Sequence, residues 1–207
     1  MNSQTERLTL QGEAGHIEAL RDTPDGVSKG VAIVAHPHPL FGGTMDNKVV
    51  QTLARAFVQC GWTVVRFNFR GVGASAGEHD AGDGEARDFC QVVAQVAAQG
   101  PLAIAGFSFG SFVASHALQN LWPARSIEKV VFVGTAAQRF TVAALPTELH
   151  DKTLVVHGEQ DDTVSLASVM DWARPQSLPV TVVPGGGHFF HGQLPLLKGL
   201  VVRHLSA

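Results

Sequence analysis

The chain has 207 residues, of which 45% are hydrophobic, and this is enough for one domain with a full apolar core. Its formal net charge is −3 and only 16% of its residues are charged. Charge therefore gives no reason to expect binding to nucleic acid or to an anionic membrane. We predict a single domain over residues 1–207.

The sequence predicts a soluble, cytoplasmic protein. The first seven residues lack the apolar core of a signal peptide, and no apolar run reaches the length of a membrane-spanning helix. The chain has two cysteines, Cys60 and Cys90, each in a segment with a helical pattern. Two buried free thiols fit a reducing compartment.

Strand and helix patterns alternate along the chain. Residues 5–10 and 16–20 are predicted to form an antiparallel pair joined at residues 12–15. A continuous apolar run then predicts a buried parallel strand over residues 31–35. Further strands are predicted over residues 62–67, 102–107, 130–133, 153–157 and 180–183. Apolar residues at helical spacing predict helices over residues 49–58, 85–98, 109–121, 166–173 and 194–204. This order indicates an α/β architecture, a mostly parallel sheet with helices on both faces.

A G-x-S-x-G motif lies where the strand over residues 102–107 meets the next helix, and it centres on Ser108. Such a motif places a serine on a sharp strand-to-helix turn with its hydroxyl clear of the sheet. Side chains next to the serine would collide in so tight a turn, which is why Gly106 and Gly110 flank it. Ser108 is therefore the predicted nucleophile.

A serine hydroxyl needs a base, and the motif predicts an acid and then a histidine further along the chain. Asp161 and Asp162 follow the strand over residues 153–157 and compete for the role of the acid. His188 follows the strand over residues 180–183 and three consecutive glycines, and His191 in the same loop is its nearest competitor. These residues come just after strand ends, where open parallel sheets place their sites.

The sequence resembles the α/β-hydrolases over nearly its whole length, most of all the small lidless bacterial serine hydrolases related to dienelactone hydrolase. Besides the serine motif, residues 36–45 (HPHPLFGGTM) and 68–75 (NFRGVGAS) carry this likeness. The resemblance implies an eight-stranded sheet whose second strand is antiparallel, and hydrolysis of an ester, thioester, amide or related acyl bond. It also favours Asp161 as the acid, three residues after the strand-end glycine Gly158. Dienelactone hydrolases have a cysteine nucleophile where this chain has Ser108, which argues against a dienelactone substrate.

Two backbone N–H groups should form the oxyanion hole. One belongs to Phe109, directly after the nucleophile, and the other comes from the loop that follows residues 31–35. Pro37 and Pro39 have no N–H, which leaves Leu40 and His38 as the candidates in that loop. We expect Leu40, because it leads directly into the turn at residues 41–43.

Several polar residues are predicted to be structural. His36 and His38 could suggest a metal pair, but no carboxylate or cysteine stands near them in the sequence, so we expect loop structure and no metal site. Arg70 is expected to tie its loop to the sheet, with contact to an anionic substrate group as the alternative. Gly71 and Gly73 lack the third glycine of a dinucleotide fingerprint.

Acidic residues gather where the helix over residues 85–98 begins. They are Asp80, Asp83, Glu85 and Asp88. Acidic side chains are favourable near the positive end of a helix dipole. We therefore predict a solvated helix start.

The segment between the strands over residues 130–133 and 153–157 is too short to hold a helical lid domain. It comprises residues 134–152. The catalytic residues should therefore be open to solvent, or shielded only by Phe41, Phe140, Leu145 and Phe190. An open site suits small soluble esters better than long lipids.

The sequence thus predicts a carboxylesterase-like serine hydrolase that acts through an acyl-enzyme. Ser108 attacks, His188 transfers protons and Asp161 orients the imidazole. A thioesterase or peptidase with the same residues is the first alternative, and a non-catalytic binding protein is the second. We expect a small ester or thioester as the partner, no cofactor, and a monomer or homodimer.

Overall fold

One eight-stranded sheet organises residues 5–207, which are the residues that this computed structural model describes. Its strands are β1 (Glu6–Gly12), β2 (Gly15–Asp22), β3 (Val31–Ala35), β4 (Thr63–Phe67), β5 (Leu102–Phe107), β6 (Ile127–Val133), β7 (Thr153–Gly158) and β8 (Val180–Val183). Across the sheet their order is β1-β2-β4-β3-β5-β6-β7-β8. Strand β2 is antiparallel to β1 and β4, and every other pair is parallel, which confirms the predicted fold. Residues 1–4, part of the segment in which no signal peptide was expected, lie outside the described residues.

Helices cover both faces of the sheet. They are α1 (Lys48–Gln59), α2 (Asp83–Val96), α3 (Phe109–Leu121), α4 (Leu166–Ala173) and α5 (Leu194–Ser206). The buried residues of α1 and α5 pack with one another under one face, while α2, α3 and α4 contribute to a separate core on the other. Strands β3, β4 and β5 at the centre of the sheet are therefore buried on both sides, except for the first residue of β3 and of β4, which is partly exposed.

The sheet places the loops after β3, β5, β6, β7 and β8 along one edge. These strands are consecutive neighbours and run in the same direction, so their carboxyl ends meet there. Between β6 and β7 the structure has a 3₁₀ segment, Thr147–Lys152, and no helical lid. This edge is where open α/β sheets bind their ligands.

The acidic residues near the start of α2 differ from the prediction of a solvated helix start. Asp80 and Asp83 are exposed, but Glu85 and Asp88 are buried. Glu85 turns back over the helix end and accepts hydrogen bonds from the N–H groups of Asp80 (3.0 Å) and Gly82 (2.9 Å). A carboxylate that binds the unpaired N–H groups of a helix end can be stable without solvent.

Arg70 is structural, as predicted, but its partner lies on α2 rather than on the sheet. Its Nε and Nη2 atoms donate to the two carboxylate oxygens of Asp88 at 2.8 and 2.9 Å. Both side chains are almost fully buried. The loop after β4 is therefore attached to α2 by a paired set of charge-assisted hydrogen bonds.

Both cysteines are free thiols, and each is half-buried rather than fully buried as predicted. Burial raises the pKa of the Cys90 thiol from 9.0 to about 11, so this thiol is unreactive at neutral pH. Within residues 5–207, no helix combines the length and the apolar character that crossing a membrane requires.

Candidate active site

Ser108 lies on the turn between β5 and α3. Its backbone has φ 55° and ψ −119°, a conformation that residues other than glycine rarely adopt. Its N–H donates to the carbonyl of Val133 at 2.8 Å, which holds the strained turn in place. A Cβ atom on Gly106 would lie 2.4 Å from the carbonyl oxygen of Gly110, and one on Gly110 would lie 2.5 Å from that of Ala35. The two glycines are thus required by close backbone contacts.

The structure brings Ser108, His188 and Asp161 together in one hydrogen-bonded chain. Ser108 Oγ lies 3.0 Å from His188 Nε2, and His188 Nδ1 lies 2.7 Å from Asp161 Oδ2. A carboxylate can only accept, so Nδ1 carries the proton and Nε2 presents its lone pair to the serine hydroxyl. This is the tautomer in which an imidazole can take a proton from Ser108.

Asp161, and not Asp162, is the partner of His188. The other oxygen of Asp161, Oδ1, accepts hydrogen bonds from the N–H groups of Thr163 (2.9 Å) and Val164 (2.8 Å). Burial by itself would raise the pKa of Asp161, but the hydrogen bonds from His188 and from these N–H groups keep that pKa below its ordinary value of 3.8. The carboxylate is therefore ionised at neutral pH, whereas Asp162 lies exposed beside it.

The loops of the acid and the histidine also approach each other closely through their backbones. A Cβ atom on Gly158 would lie 2.3 Å from the carbonyl oxygen of Gly186. That same oxygen accepts a hydrogen bond from the N–H of Gln160 at 2.8 Å. The glycines before His188 thus allow a close approach that seats the imidazole over Ser108, while His191 lies at the surface.

Two residues beside the triad were not predicted as part of the site. Gly134, which follows β6 with φ 55°, would carry its Cβ 3.2 Å from His188 Cε1. His157, near the end of β7, is fully buried, and its Nε2 lies 3.6 Å from Asp161 Oδ2. The sequence offered one signal for each: Gly134 directly follows a predicted strand, and His157 is the last residue of another.

The N–H groups predicted for the oxyanion hole differ in whether they already have a hydrogen-bond acceptor. Phe109 is the first residue of α3, and the N–H of a first helical residue has no acceptor within the helix. The N–H of Leu40 donates to His38 Nδ1 at 3.2 Å, in a 3₁₀ turn over Pro39–Phe41. Among residues 5–207, no acceptor lies within hydrogen-bond distance of the His38 N–H. Leu40 thus has an internal partner, whereas His38 and Phe109 have free N–H groups.

Aromatic rings surround the imidazole of His38. Its ring centroid lies 4.7 Å from Phe109, 4.9 Å from Phe41, 4.9 Å from His79 and 5.8 Å from Phe140. The prediction that Leu145 and Phe190 shield the site is wrong, because both are buried in the cores on either side of the sheet. Phe41 is 75% exposed, but Ser108 and His188 are only 7% and 4% exposed, so these two residues are less open to solvent than predicted.

His36 is a structural residue of the loop after β3. Its Nδ1–H donates to the carbonyl of Pro37 at 2.7 Å, and its Nε2 accepts the N–H of Phe69 at 3.0 Å. Both nitrogens are thus engaged, which agrees with the predicted loop role. Burial lowers the pKa of His36 from 6.5 to about 4, although the bond to Pro37 acts in the opposite direction.

The lowered pKa of His36 predicts that the folded protein loses stability in mild acid. The unfolded chain binds a proton at His36 below about pH 6.5, whereas the folded chain binds it only near pH 4. The contribution of neutral His36 to the free energy of unfolding is therefore fully present above pH 6.5. It is lost as the pH falls toward 4, to a total of up to about 3 kcal/mol. Urea unfolding at pH 7, 5.5 and 4 measures it, and His36→Gln should show a flatter pH dependence than the wild type. Equal slopes in the two proteins would contradict the assignment.

Comparison with known proteins gives consistent likenesses. The family profile described as "Alpha/beta hydrolase domain" matches residues 29–194. A serine hydrolase without a lid from Xanthomonas campestris is 36% identical, with a TM-score of 0.87 over all of this chain and 95% of that one. An α/β serine hydrolase homologue from Coxiella burnetii is 37% identical, with a TM-score of 0.83 and 97% of each chain covered. An uncharacterized protein from Rickettsia prowazekii is 31% identical over 89% of this chain and 82% of its own length.

Proposed function

This chain belongs to the α/β-hydrolase family, and we propose that it is a carboxylesterase that acts on small soluble esters through an acyl-enzyme. The observation that carries the proposal is the hydrogen-bonded chain from Ser108 through His188 to Asp161. A hydroxyl, an imidazole and a carboxylate in this order form the general machinery of serine hydrolases.

In the proposed mechanism Ser108 Oγ attacks the ester carbonyl while its proton passes to His188 Nε2. Asp161 stabilises the imidazolium without taking the proton. The imidazolium then protonates the leaving alcohol, which departs and leaves an ester on Ser108. In the second half, water attacks the acyl carbon while His188 takes a proton from it. The bond from that carbon to Ser108 Oγ then breaks, the imidazolium returns the proton to Oγ, and the carboxylic acid leaves.

We assign the oxyanion hole to the N–H groups of Phe109 and His38. His38 replaces Leu40 in this assignment because the Leu40 N–H already donates to His38 Nδ1. Pro37 and Pro39 offer no donor, so His38 has the remaining free N–H next to the end of β3. Fixed donors of this kind act where negative charge develops on the carbonyl oxygen.

A pair of substitutions at His38 tests this assignment. Its φ of −55° is one that proline adopts, so His38→Pro removes the N–H without requiring a new backbone conformation. His38→Ala loses the same imidazole but keeps the N–H. We expect kcat of H38P to be about 10²- to 10³-fold below that of H38A, as for other lost oxyanion donors. Equal kcat values would exclude His38 as a donor.

The substrate class is proposed from the absence of a lid between β6 and β7. The connection from β6 to β7 has no lid, and Phe41 is an exposed apolar side chain next to His38. A site without a lid fits a short ester in water better than a long lipid chain. Thioesters and amides remain chemical alternatives because the same groups act on any acyl bond. A binding protein would not need the three groups aligned for proton transfer.

Labelling and turnover together test the function. A fluorophosphonate should label the wild type on Ser108 and leave Ser108→Ala unlabelled. p-Nitrophenyl esters of increasing chain length, an acyl-CoA and a peptide then rank the possible substrates, and the short esters should give the highest kcat/KM. A folded wild type that is neither labelled nor active would support the binding protein instead. Higher kcat/KM for the acyl-CoA or the peptide would support a thioesterase or a peptidase.

A cytoplasmic location is part of the proposal. It is supported by the free thiols of Cys60 and Cys90, which are typical of a reducing compartment. Fractionation of cells that express the chain would check it.

A further inference from the structure

His157 is a fully buried histidine that the proposed mechanism does not use. It is the residue before the last one of β7, four positions before Asp161. Its Nε2 lies 2.9 Å from the carbonyl oxygen of Val164 and 3.6 Å from Asp161 Oδ2. Its Nδ1 has no hydrogen-bond partner within the described part of the chain.

These contacts fix the tautomer of His157. A carbonyl oxygen only accepts, so the proton is on Nε2 and it faces both Val164 and the carboxylate of Asp161. Burial lowers the pKa of His157 below 6.5, although Asp161 and the bond to Val164 raise it. The imidazole of His157 is therefore neutral at neutral pH. It orients the carboxylate of Asp161 through its N–H dipole and adds no positive charge that would compete with His188 for that carboxylate.

His157 also holds the backbone that binds the other side of Asp161. The carbonyl of Val164 accepts from His157, while the N–H of Val164 donates to Asp161 Oδ1 at 2.8 Å. Val164 is buried in the core formed with α2, α3 and α4, so the turn over residues 161–164 is held from both directions. Moving the Val164 carbonyl would move the N–H groups that position the carboxylate.

We propose that His157 is a positioning residue for the acid of the triad. It fixes Asp161 opposite His188 Nδ1 by holding the Val164 carbonyl and by directing its own Nε2–H toward Oδ2. The inference rests on the proposed function, since it assigns a role in the same reaction. It concerns kcat, because the groups involved lie behind His188 and do not face the substrate.

Two variants separate this role from simple packing. His157→Phe keeps an aromatic ring but removes the N–H, whereas His157→Gln keeps a donor at a similar distance from the backbone. We expect H157F to lower kcat by about 10- to 100-fold with little change in KM, since displacements near 1 Å can cost that much. H157Q should recover most of this loss.

The outcomes are distinguishable. Circular dichroism gives the folded fraction, and kcat is compared per folded molecule. If H157F does not fold, His157→Asn serves instead, because its shorter amide does not reach Val164. The inference is overturned if H157F, or H157N in its place, matches the wild type in kcat, or if H157Q loses as much as H157F. Wild-type turnover that survives Ser108→Ala would instead refute the proposed function itself.

Discussion

His188→Ala is expected to lower kcat/KM for a short p-nitrophenyl ester by about 10³- to 10⁶-fold, the range for loss of one member of a catalytic triad. The reason is geometric. His188 Nε2 is 3.0 Å from Ser108 Oγ, so its removal leaves the hydroxyl without a base. Asp161 cannot take its place, because its carboxylate reaches the serine only through the imidazole. The initial rate of p-nitrophenol release, with a spontaneous-hydrolysis control, measures the effect.

His191→Ala is the matched control for this prediction. His191 follows His188 in the same glycine-rich loop, but it is exposed, and its ring lies 6.0 Å from that of Phe189. We expect H191A to retain wild-type kcat/KM within the error of the assay. The reverse result, an inactive H191A and an active H188A, would show that His191 is the base and would end the present assignment.

The sequence predicts the sheet and the proximity of Ser108, His188 and Asp161 well because both depend on local patterns. Strands β3, β5 and β8 have the predicted bounds, since each is a short, mainly apolar segment with polar or turn residues after it. The position of Ser108 follows from two glycines and a preceding strand. Because parallel strands end at one edge, the order of strands then suffices to bring the acid and the histidine close to the serine.

The burial of charged residues could not be predicted in the same way. Glu85 and Asp88 occupy the first turns of a helix, where a solvated carboxylate is the ordinary expectation. Whether each is buried depends on its partners, the Gly82 N–H for Glu85 and the Arg70 guanidinium for Asp88. Arg70 lies 18 residues from Asp88 in a loop without periodicity, so no local rule connects the two.

The choice between Leu40 and His38 had a similar limit. The prolines exclude two donors from the loop, and this much follows from covalent structure alone. The remaining choice depends on the side-chain rotamer of His38, whose Nδ1 turns back onto the Leu40 N–H. Likewise, Phe190 follows His188 closely in sequence, but it points into the core because its backbone has a φ of 51°.

Arg70→Met is expected to reduce the free energy of unfolding by about 3 to 5 kcal/mol, the range for a buried ion pair that loses one partner. The side chains of Arg70 and Asp88 are 8% and 3% exposed, so removal of the guanidinium leaves a carboxylate without solvent or counter-charge. Asp80, whose carboxylate lies 3.7 Å from Arg70 Nη1, carries the same negative charge and offers Asp88 no counter-charge. Urea unfolding at pH 7 gives the difference between variant and wild type.

The double variant Arg70→Met, Asp88→Leu tests the cause of that loss. If the uncompensated charge is responsible, the double variant should be more stable than Arg70→Met alone, because an apolar pair replaces a buried carboxylate. If the double variant is no more stable than Arg70→Met, the uncompensated charge is not the cause of the loss. The sequence-based alternative, contact between Arg70 and an anionic substrate, makes a different prediction. It requires a KM increase in Arg70→Met that is larger for anionic than for neutral esters, whereas a guanidinium held by Asp88 requires no such difference.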